Sequence, residues 1–413
     1  MSTAVNPALT AAILAIGDEL LLGDLVNTNA AWLGEQLTAA GVVVVASAVV
    51  GDDVERIAQA VRRGLTDADV VLLTGGLGPT SDDVTREGVA LACDAPLKRS
   101  AVVEDELRAK FAAFGYAMPD AVLVQADVPS GARVLDNPLG SAPGLVLTVG
   151  DRLVVTVPGP PHEMQATVAP VLAELAARSG RVVLTRTLHC AGVGESDVAG
   201  RVAAAVTVPD GVALAYLAGS GGVVRVRFTG SDAAQLEPLV AACTAALGRD
   251  VFGLDEVTLP GVVSDLLRAA GATVGVAESL TGGLLASALV DLPGSSQVFR
   301  GGLLAYATDL KTTLAGVDPA VLAAHGAVSA PTALELARGA RERTGATYGL
   351  GTTGVAGPDE QEGQPAGSLH VAVVGPQGER TLSRRIPGDR QRVRQRTVTV
   401  TLDLLRRLLT DPV

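Results

Sequence analysis

The chain has little cysteine, histidine or aromatic side chain. Its three cysteines, Cys93, Cys190 and Cys243, are scattered over 413 residues with no CxxC pair. That excludes a disulfide framework, argues against structural zinc and fits a reduced compartment. Four scattered histidines speak against a His-rich catalytic metal site. Aromatics, at 2%, are too few for a base-stacking platform, and a net charge of −12 opposes direct contact with nucleic acid or an anionic membrane. The longest small or apolar run, residues 39–51, is too short to span a bilayer, and MSTAVNPALT lacks a basic n-region before an apolar stretch. A cytoplasmic location is the expectation. No Walker A sequence occurs, so a P-loop NTPase is not supported.

Lysine is rarer still: of 32 basic residues only Lys98, Lys110 and Lys311 are lysine. A chain that uses arginine for generic charge draws attention to each place where lysine persists. Asparagine is equally sparse, at Asn6, Asn27, Asn29 and Asn137. Biased codon use would give the same counts, so scarcity ranks candidates without proving them.

What is present is alternating strand and helix pattern, which predicts an α/β protein of two or three domains. Strand 9–16, a helix capped by Asn27 or Thr28, the strand VVVVASAVV, the amphipathic ERIAQAVRRGL and the buried VVLL make a βαβαβ rhythm. A mostly parallel sheet covered by helices follows, spanning 8–178. Residues 181–250 read as a small α+β module with no catalytic cluster, a connector or dimerisation element. A third α/β unit runs from 255 to 410.

Two loops share the pattern T-G-x-x-G-P: TGGLGP at 74–79 and TGVAGP at 353–358. In the first, Thr74, Gly75 and Gly76 follow a short strand, and glycine lets backbone N–H groups turn toward an anion. A plain tight turn would use the same residues. The longer string TGGLGPTSDDVT resembles the molybdopterin-binding family of MogA and MoaB proteins. The acids matching that family are Asp83 and, in VVGDDVERI with glycine in place of proline, Asp52. Two carboxylates beside a phosphate cradle suit a divalent metal such as Mg²⁺; equally, Asp82 and Asp83 suit a helix cap.

In AGATVGVAESLTGGLLASALV a serine, Ser279, sits where a strand turns into a helix, and Lys311 follows 32 positions later. Serine is a weak nucleophile until a base takes its proton. Lysine can do so when burial lowers its pKa, and arginine cannot. Tyr306 is placed to orient the amine or relay a proton. The alternative is a capping serine and a solvated lysine.

AESLTGG, PGSSQVFRGGLLAYATDLK, LAAHGAVSAPTALELARGA, TTGVAGP, QPAGSLHVAV and PGDRQRVR, in that order over about 255–410, resemble the CinA C-terminal domain, a nicotinamide-nucleotide amidase family. GDELLLGDLVNTNAAWL, TGGLGPTSDDVT, DNPLGSAPG and PGPPHEM resemble the CinA N-terminal domain, a MoaB/Mog-like three-layer α/β fold. The resemblance implies deamidation of nicotinamide mononucleotide to nicotinic acid mononucleotide, with Ser279 as nucleophile and Lys311 as base and later acid. It implies that Tyr306 and Thr353 position the dyad or substrate. Backbone N–H groups of Gly282 and Gly283 would serve an oxyanion or phosphate. Arg390 and Arg394, four apart on the last helix, would face one way and suit a 5′-phosphate; with Arg392 and Arg396 they could otherwise form solvated faces.

For the N-terminal domain the resemblance implies a metal-dependent ADP-ribose pyrophosphatase using Asp52 and Asp83, with a molybdopterin-type binder as the alternative. A homodimer follows by family analogy. Two departures stand out: Leu280 replaces the family's cysteine, and DEQEGQP replaces a Gly-Gly pair with one residue fewer. From another functional class, the chain could be a noncatalytic factor in DNA uptake or damage response, which the acidic charge disfavours for direct DNA contact.

Overall fold

The computed structural model describes residues 8–113, 115–219 and 221–410, so most of the N-terminal stretch read for targeting, Asn6 included, lies outside the described residues. The chain divides into two compact units, Met1–Leu184 and Thr185–Val413. Among the described residues no helix is long and apolar enough to cross a membrane.

The first unit is built on a six-stranded sheet in the order Val43–Val50, Thr10–Ile16, Val70–Thr74, Arg152–Val157, Gly144–Val149, Arg133–Leu135. The first four strands run parallel and the last two antiparallel. Thr10–Ile16 and Val70–Thr74 are apolar and buried along almost their whole length, as strands covered on both faces must be. Alternation sorts their side chains. Ile13 and Leu72 pack with Leu33 and Leu37 of the helix Thr28–Ala39 and Met164, Val168 and Leu175 of the helix Pro161–Ser179. Leu14 and Leu73 pack with Ile57 and Val61 of Val54–Asp67 and with Val89 of Thr85–Ala92. This is a three-layer α/β arrangement. Of the two expected caps it is Asn27 that acts, its side chain accepting the Ala30 N–H at 3.0 Å.

The second unit carries two sheets. In the first, Ala213–Ala218, Val224–Gly230, Leu184–Cys190 and Val251–Leu254 lie in that order. The last strand pairs antiparallel with Leu184–Cys190, so this sheet extends beyond the 250 at which the sequence pattern ends. Four residues, VFGL, are too short to show a period. The other sheet runs Phe299–Leu304, Val274–Glu278, Tyr348–Gly354, Ser368–Gly375, Gly378–Arg385, with three parallel strands followed by two antiparallel ones. One face is covered by Leu259–Ala269, Leu284–Val290 and the C-terminal helix Arg390–Thr410. Ala333, Leu336, Ala337 and Ala340 of Ala330–Thr344 cover the other.

Both loops of interest leave the C-terminal end of a central parallel strand: TGGLGP follows Val70–Thr74 and SLTGG follows Val274–Glu278. Open α/β sheets present ligand crevices at that edge.

Candidate active sites

Ser279 is positioned by its own backbone, since its N–H donates to the Thr352 carbonyl of the neighbouring strand at 3.0 Å. Lys311 arrives from the short helix Thr308–Thr313 and is only 2% exposed. Its Nζ lies 3.1 Å from Ser279 Oγ, 3.0 Å from the Ala305 carbonyl and 3.1 Å from the Tyr306 carbonyl. Burial pushes the amine below the ordinary lysine range, against the opposing pull of Glu362 and Asp309. A neutral amine has two N–H donors and one lone pair. In that neutral form the two carbonyls would take the donors and the lone pair would be left for the serine hydroxyl, to which the protonated amine donates.

Beside this pair lies a cavity of about 310 Å³ lined by Ser279, Lys311, Thr353, residues 354–361, Tyr306 and Arg390, among others. Tyr306 orients the amine through its main-chain carbonyl; its ring is exposed, and its hydroxyl accepts from Arg390 at 2.7 Å. Thr353 lines the cavity while its hydroxyl donates to the Ala327 carbonyl at 2.7 Å, tying two loops together. Arg390 also holds the Gly357 carbonyl, at 3.0 Å, so it braces the TGVAGP loop.

Two sequence expectations need correction. The Gly283 N–H is bound at 3.0 Å by the carboxylate of Glu278, and the Gly282 N–H turns back to the Ser279 carbonyl at 3.2 Å. Neither is therefore available to an oxyanion or phosphate. The φ values of 58° and 94° at Gly282 and Gly283 show what glycine is for here: the chain turns from strand to helix through two left-handed residues. Arg394 donates to the carbonyls of Leu280 at 3.1 Å and Thr281 at 2.8 Å, so it braces the Ser279 loop, and with Arg390 and Tyr306 it also lines a neighbouring pocket of about 410 Å³.

Sequence reasoning missed two residues here. Glu278, fully buried, accepts N–H bonds from Gly283, Leu285 and Ala286 at 2.9–3.0 Å, capping the helix Leu284–Val290 from within the sheet. A carboxylate ending the apolar strand VGVAE was the available signal. Glu362 accepts from the Ala327 and Val328 N–H groups at 2.7 and 3.2 Å and adds its charge to the field at Lys311. It sits in the divergent DEQEGQP segment, where no periodic pattern exists to read.

In the first unit a larger cavity, about 820 Å³, is lined by Thr74, Gly75, Gly76, Asp52, Asp82 and Asp83 with the Asn27 to Asn29 turn and Glu163. Thr74 Oγ1 donates to the Pro158 carbonyl at 2.9 Å and accepts from Asn29. Gly75 has φ 105°, and a Cβ there would stand 2.3 Å from the Ile16 carbonyl oxygen. The carbonyls of Gly75 and Gly76 are both held by Thr85, through its hydroxyl and its N–H at 2.8 and 3.1 Å. In a planar trans peptide the N–H points opposite to the C=O, so the N–H groups of Gly76 and Leu77, two residues that line the cavity, face away from Thr85. Below the loop, fully buried Arg86 donates to the carbonyls of Leu77 and Gly78 at 2.7 and 2.9 Å. This guanidinium, too, went unseen in the sequence.

The two expected metal ligands differ in what they can do. Asp83 accepts from the N–H groups of Gly78 and Thr80 at 2.8 and 2.9 Å and from the Thr80 hydroxyl. It shapes the loop and would have to release Thr80 to ligate. Asp52 accepts one N–H, from Asp18, at 2.8 Å. Burial, then the like charges of Asp18, Glu19 and Asp82, push its carboxyl above the usual range, as expected in an all-oxygen acidic setting that a hard cation would relieve. Among the described residues no group of three or more Asp, Glu, His or Cys side chains is placed to hold a metal. Asp52 is the one of the two acids with a carboxylate free to ligate, so a Mg²⁺-type ion held here would need its other ligands from water and a substrate phosphate.

Comparison with known proteins covers nearly the whole chain. Three family models match: "Probable molybdopterin binding domain" over residues 12–178, "Damage-inducible protein CinA KH domain" over 185–253 and "CinA C-terminal domain" over 256–409. A CinA-like protein of Frankia casuarinae is 49% identical over 97% of this chain and 96% of its own length. One from Solibacter usitatus is 39% identical over 97% and 99%. Among solved structures, the protein CinA from Thermoplasma acidophilum shares 37% identity over 41% of this chain and 98% of its own, with a TM-score of 0.39. With relatives this similar over their full length, the chain belongs to the CinA family, with a molybdopterin-binding-type first domain and a CinA C-terminal domain.

Proposed function

We propose that the second unit hydrolyses the carboxamide of nicotinamide mononucleotide. The observation that carries this reading is the buried Lys311 amine, 3.1 Å from Ser279 Oγ and depressed in pKa by its surroundings. Lys311 takes the Ser279 hydroxyl proton as Oγ bonds to the carboxamide carbon. It returns that proton to nitrogen as the C–N bond breaks and ammonia leaves. Water, deprotonated by the same amine, then cleaves the acyl ester and restores the serine. With the Ser279 carbonyl turned to Gly282, the Leu280 N–H on the same peptide plane faces the other way. A donor just after the nucleophile suits the oxyanion. Arg390 together with Asp359 and Glu360 in the cavity lining gives both signs of charge, matching a substrate that joins a phosphate to a pyridinium cation.

For the first unit we propose metal-dependent hydrolysis of the ADP-ribose diphosphate. The N–H groups of Gly76 and Leu77 would bind phosphate oxygens, and Asp52 would hold the ion. The ion would supply Lewis-acid stabilisation of charge on the diphosphate. A second reading, binding of a phosphorylated pterin without turnover, is favoured by the family model matched over 12–178.

Ammonia release from nicotinamide mononucleotide tests the first proposal: Ser279→Ala and Lys311→Ala should each abolish it, and full activity in either removes the dyad. Turnover of ADP-ribose should require a divalent ion and fall sharply in Asp52→Asn. Hydrolysis that persists in chelator defeats the metal reading, and tight pterin binding without hydrolysis selects the second.

A further inference from the structure

A third cavity in the second unit, about 540 Å³, lies away from the Ser279 site and has no part in the chemistry above. Its construction follows from two periodicities. On the edge strand Gly378–Arg385, alternate residues Arg380, Leu382 and Arg384 point to one side. On the C-terminal helix, Val400, Leu404 and Leu408 recur every four residues and form an apolar floor beneath them. The third wall is the turn bearing Arg249 and Asp250, with Gly192 opposite. Gly192 has φ 79°, and a Cβ there would stand 2.9 Å from Asp403 Oδ2 and 3.0 Å from the Arg407 guanidinium, so glycine allows the wall to close on the helix.

The charge of this cleft is one-sided once its internal pairs are removed. Asp403 is held by Arg406 and Arg407 at 2.7 Å each, and Asp250 by Arg201 and Arg407 at 2.8 and 2.9 Å. Those two acids are neutralised. Arg380 donates one N–H to the carbonyl of Glu379, at 3.0 Å, and the side chains of Arg249 and Arg384 have no ion-pair partner among the described residues. In a chain of net charge −12, three uncompensated guanidiniums around one apolar floor are out of proportion.

We propose that this cleft binds a small phosphorylated molecule with a flat or apolar body, of the mononucleotide class. Guanidinium forks match phosphate oxygens bidentately, and the leucine floor takes the unphosphorylated part. The volume lies in the range of small-ligand pockets, and the cleft is walled on three sides, which suits a compact ligand better than a polymer. The helix forming the floor is the one whose first turns carry Arg390 and Arg394, so the ligand rests on the same rigid element that braces the nucleophile loop.

Isothermal titration of the full-length chain with AMP, inorganic phosphate and adenosine tests this. AMP should show a binding event that weakens about 100-fold when two charge-assisted contacts are reversed in R380E/R384E. The milder Arg384→Ala should weaken it about 10-fold, and thermal melts should match the parent protein in both cases. Phosphate should occupy the same site less tightly, and adenosine should not compete. AMP isotherms unchanged by the double reversal would overturn the proposal, as would adenosine competing as well as AMP. A single-stranded RNA that binds the cleft more tightly than AMP and is lost in R380E/R384E would overturn it in favour of a nucleic-acid groove.

Discussion

Replacing Glu278 by glutamine tests how the Ser279 loop is held. The carboxylate is fully buried and accepts three backbone N–H groups, Oε2 from Gly283 and Leu285 and Oε1 from Ala286. Glutamine has the same shape but one acceptor oxygen. Its best orientation keeps the two bonds at one oxygen and points an NH₂ donor at the third N–H. The two surviving bonds fall from the charge-assisted range, about 1.5–3 kcal/mol each, to the neutral range near 1 kcal/mol, and the third becomes an unmet buried donor. The favourable meeting of an anion with a helix N-terminus is lost as well. A destabilisation of about 3–5 kcal/mol follows for Glu278→Gln. The assay is urea unfolding of the intact chain, followed by circular dichroism, alongside deamidation kinetics. Ammonia release should fall through kcat by about 10–100-fold, because Ser279 is displaced rather than removed. A variant as stable as the parent that has lost all activity would refute this reasoning, since Glu278 would then take part in the reaction. So would one unchanged in both.

Lys311→Met separates the amine from its bulk. In the parent, deamidation should rise with pH and level off above a lysine pKa that burial lowers from the ordinary 10.5. The sign for stability is the same: the unfolded chain binds the extra proton between the folded and ordinary pKa values, so this group's contribution to stability rises with pH across that window. Methionine should abolish activity and flatten that part of the stability profile in pH-dependent urea titrations. Gly75→Ala should lose about 2–4 kcal/mol, from positive φ and from a Cβ pressed on the Ile16 carbonyl, with ADP-ribose turnover falling more than deamidation. Arg86→Lys keeps the charge but reaches only one of the Leu77 and Gly78 carbonyls, so a loss of about 1–3 kcal/mol is expected, with KM for ADP-ribose raised. Equal midpoints and equal KM values for parent and variant would remove the bracing role assigned to Arg86.

Much of this was legible in residue order because it depends on local pattern. The runs AAILAI, VVLL and ATVGVA read as buried strands, Asn27 or Thr28 as a helix start, and lysine scarcity singles out Lys311. What stayed hidden depends on direction. Arg394 lies four residues from Arg390 and was expected to share its role, yet one side chain turns to the carbonyls of the Ser279 loop and the other to Gly357 and Tyr306. Helical spacing gives a shared face, and the ends of long side chains are free to diverge. The strand Val251–Leu254 was missed for a different reason, since pairing with a strand over sixty residues away leaves no period in four residues.

The two loops are braced by the same physical device, reached from unrelated sequences. In TGGLGP the buried guanidinium of Arg86 takes the carbonyls of Leu77 and Gly78, while the carboxylate of Asp83 takes the N–H groups of Gly78 and Thr80. In SLTGG the guanidinium of Arg394 takes the carbonyls of Leu280 and Thr281, and the carboxylate of Glu278 takes the N–H groups beyond them. A glycine-rich turn has too few side chains to pack itself rigid, and its backbone groups are partly withdrawn from water. A cation on the carbonyl side and an anion on the N–H side satisfy both sets and fix each peptide plane. Charges placed this way are structural, and their cost of burial is offset by bonds to the chain they hold. It follows that the charged groups nearest a reactive loop are not the best candidates for ligands. Asp52, with a single N–H bound, is the acid left with most capacity, and Arg390, which makes as many bonds as Arg394, differs from it in lining the Ser279 cavity.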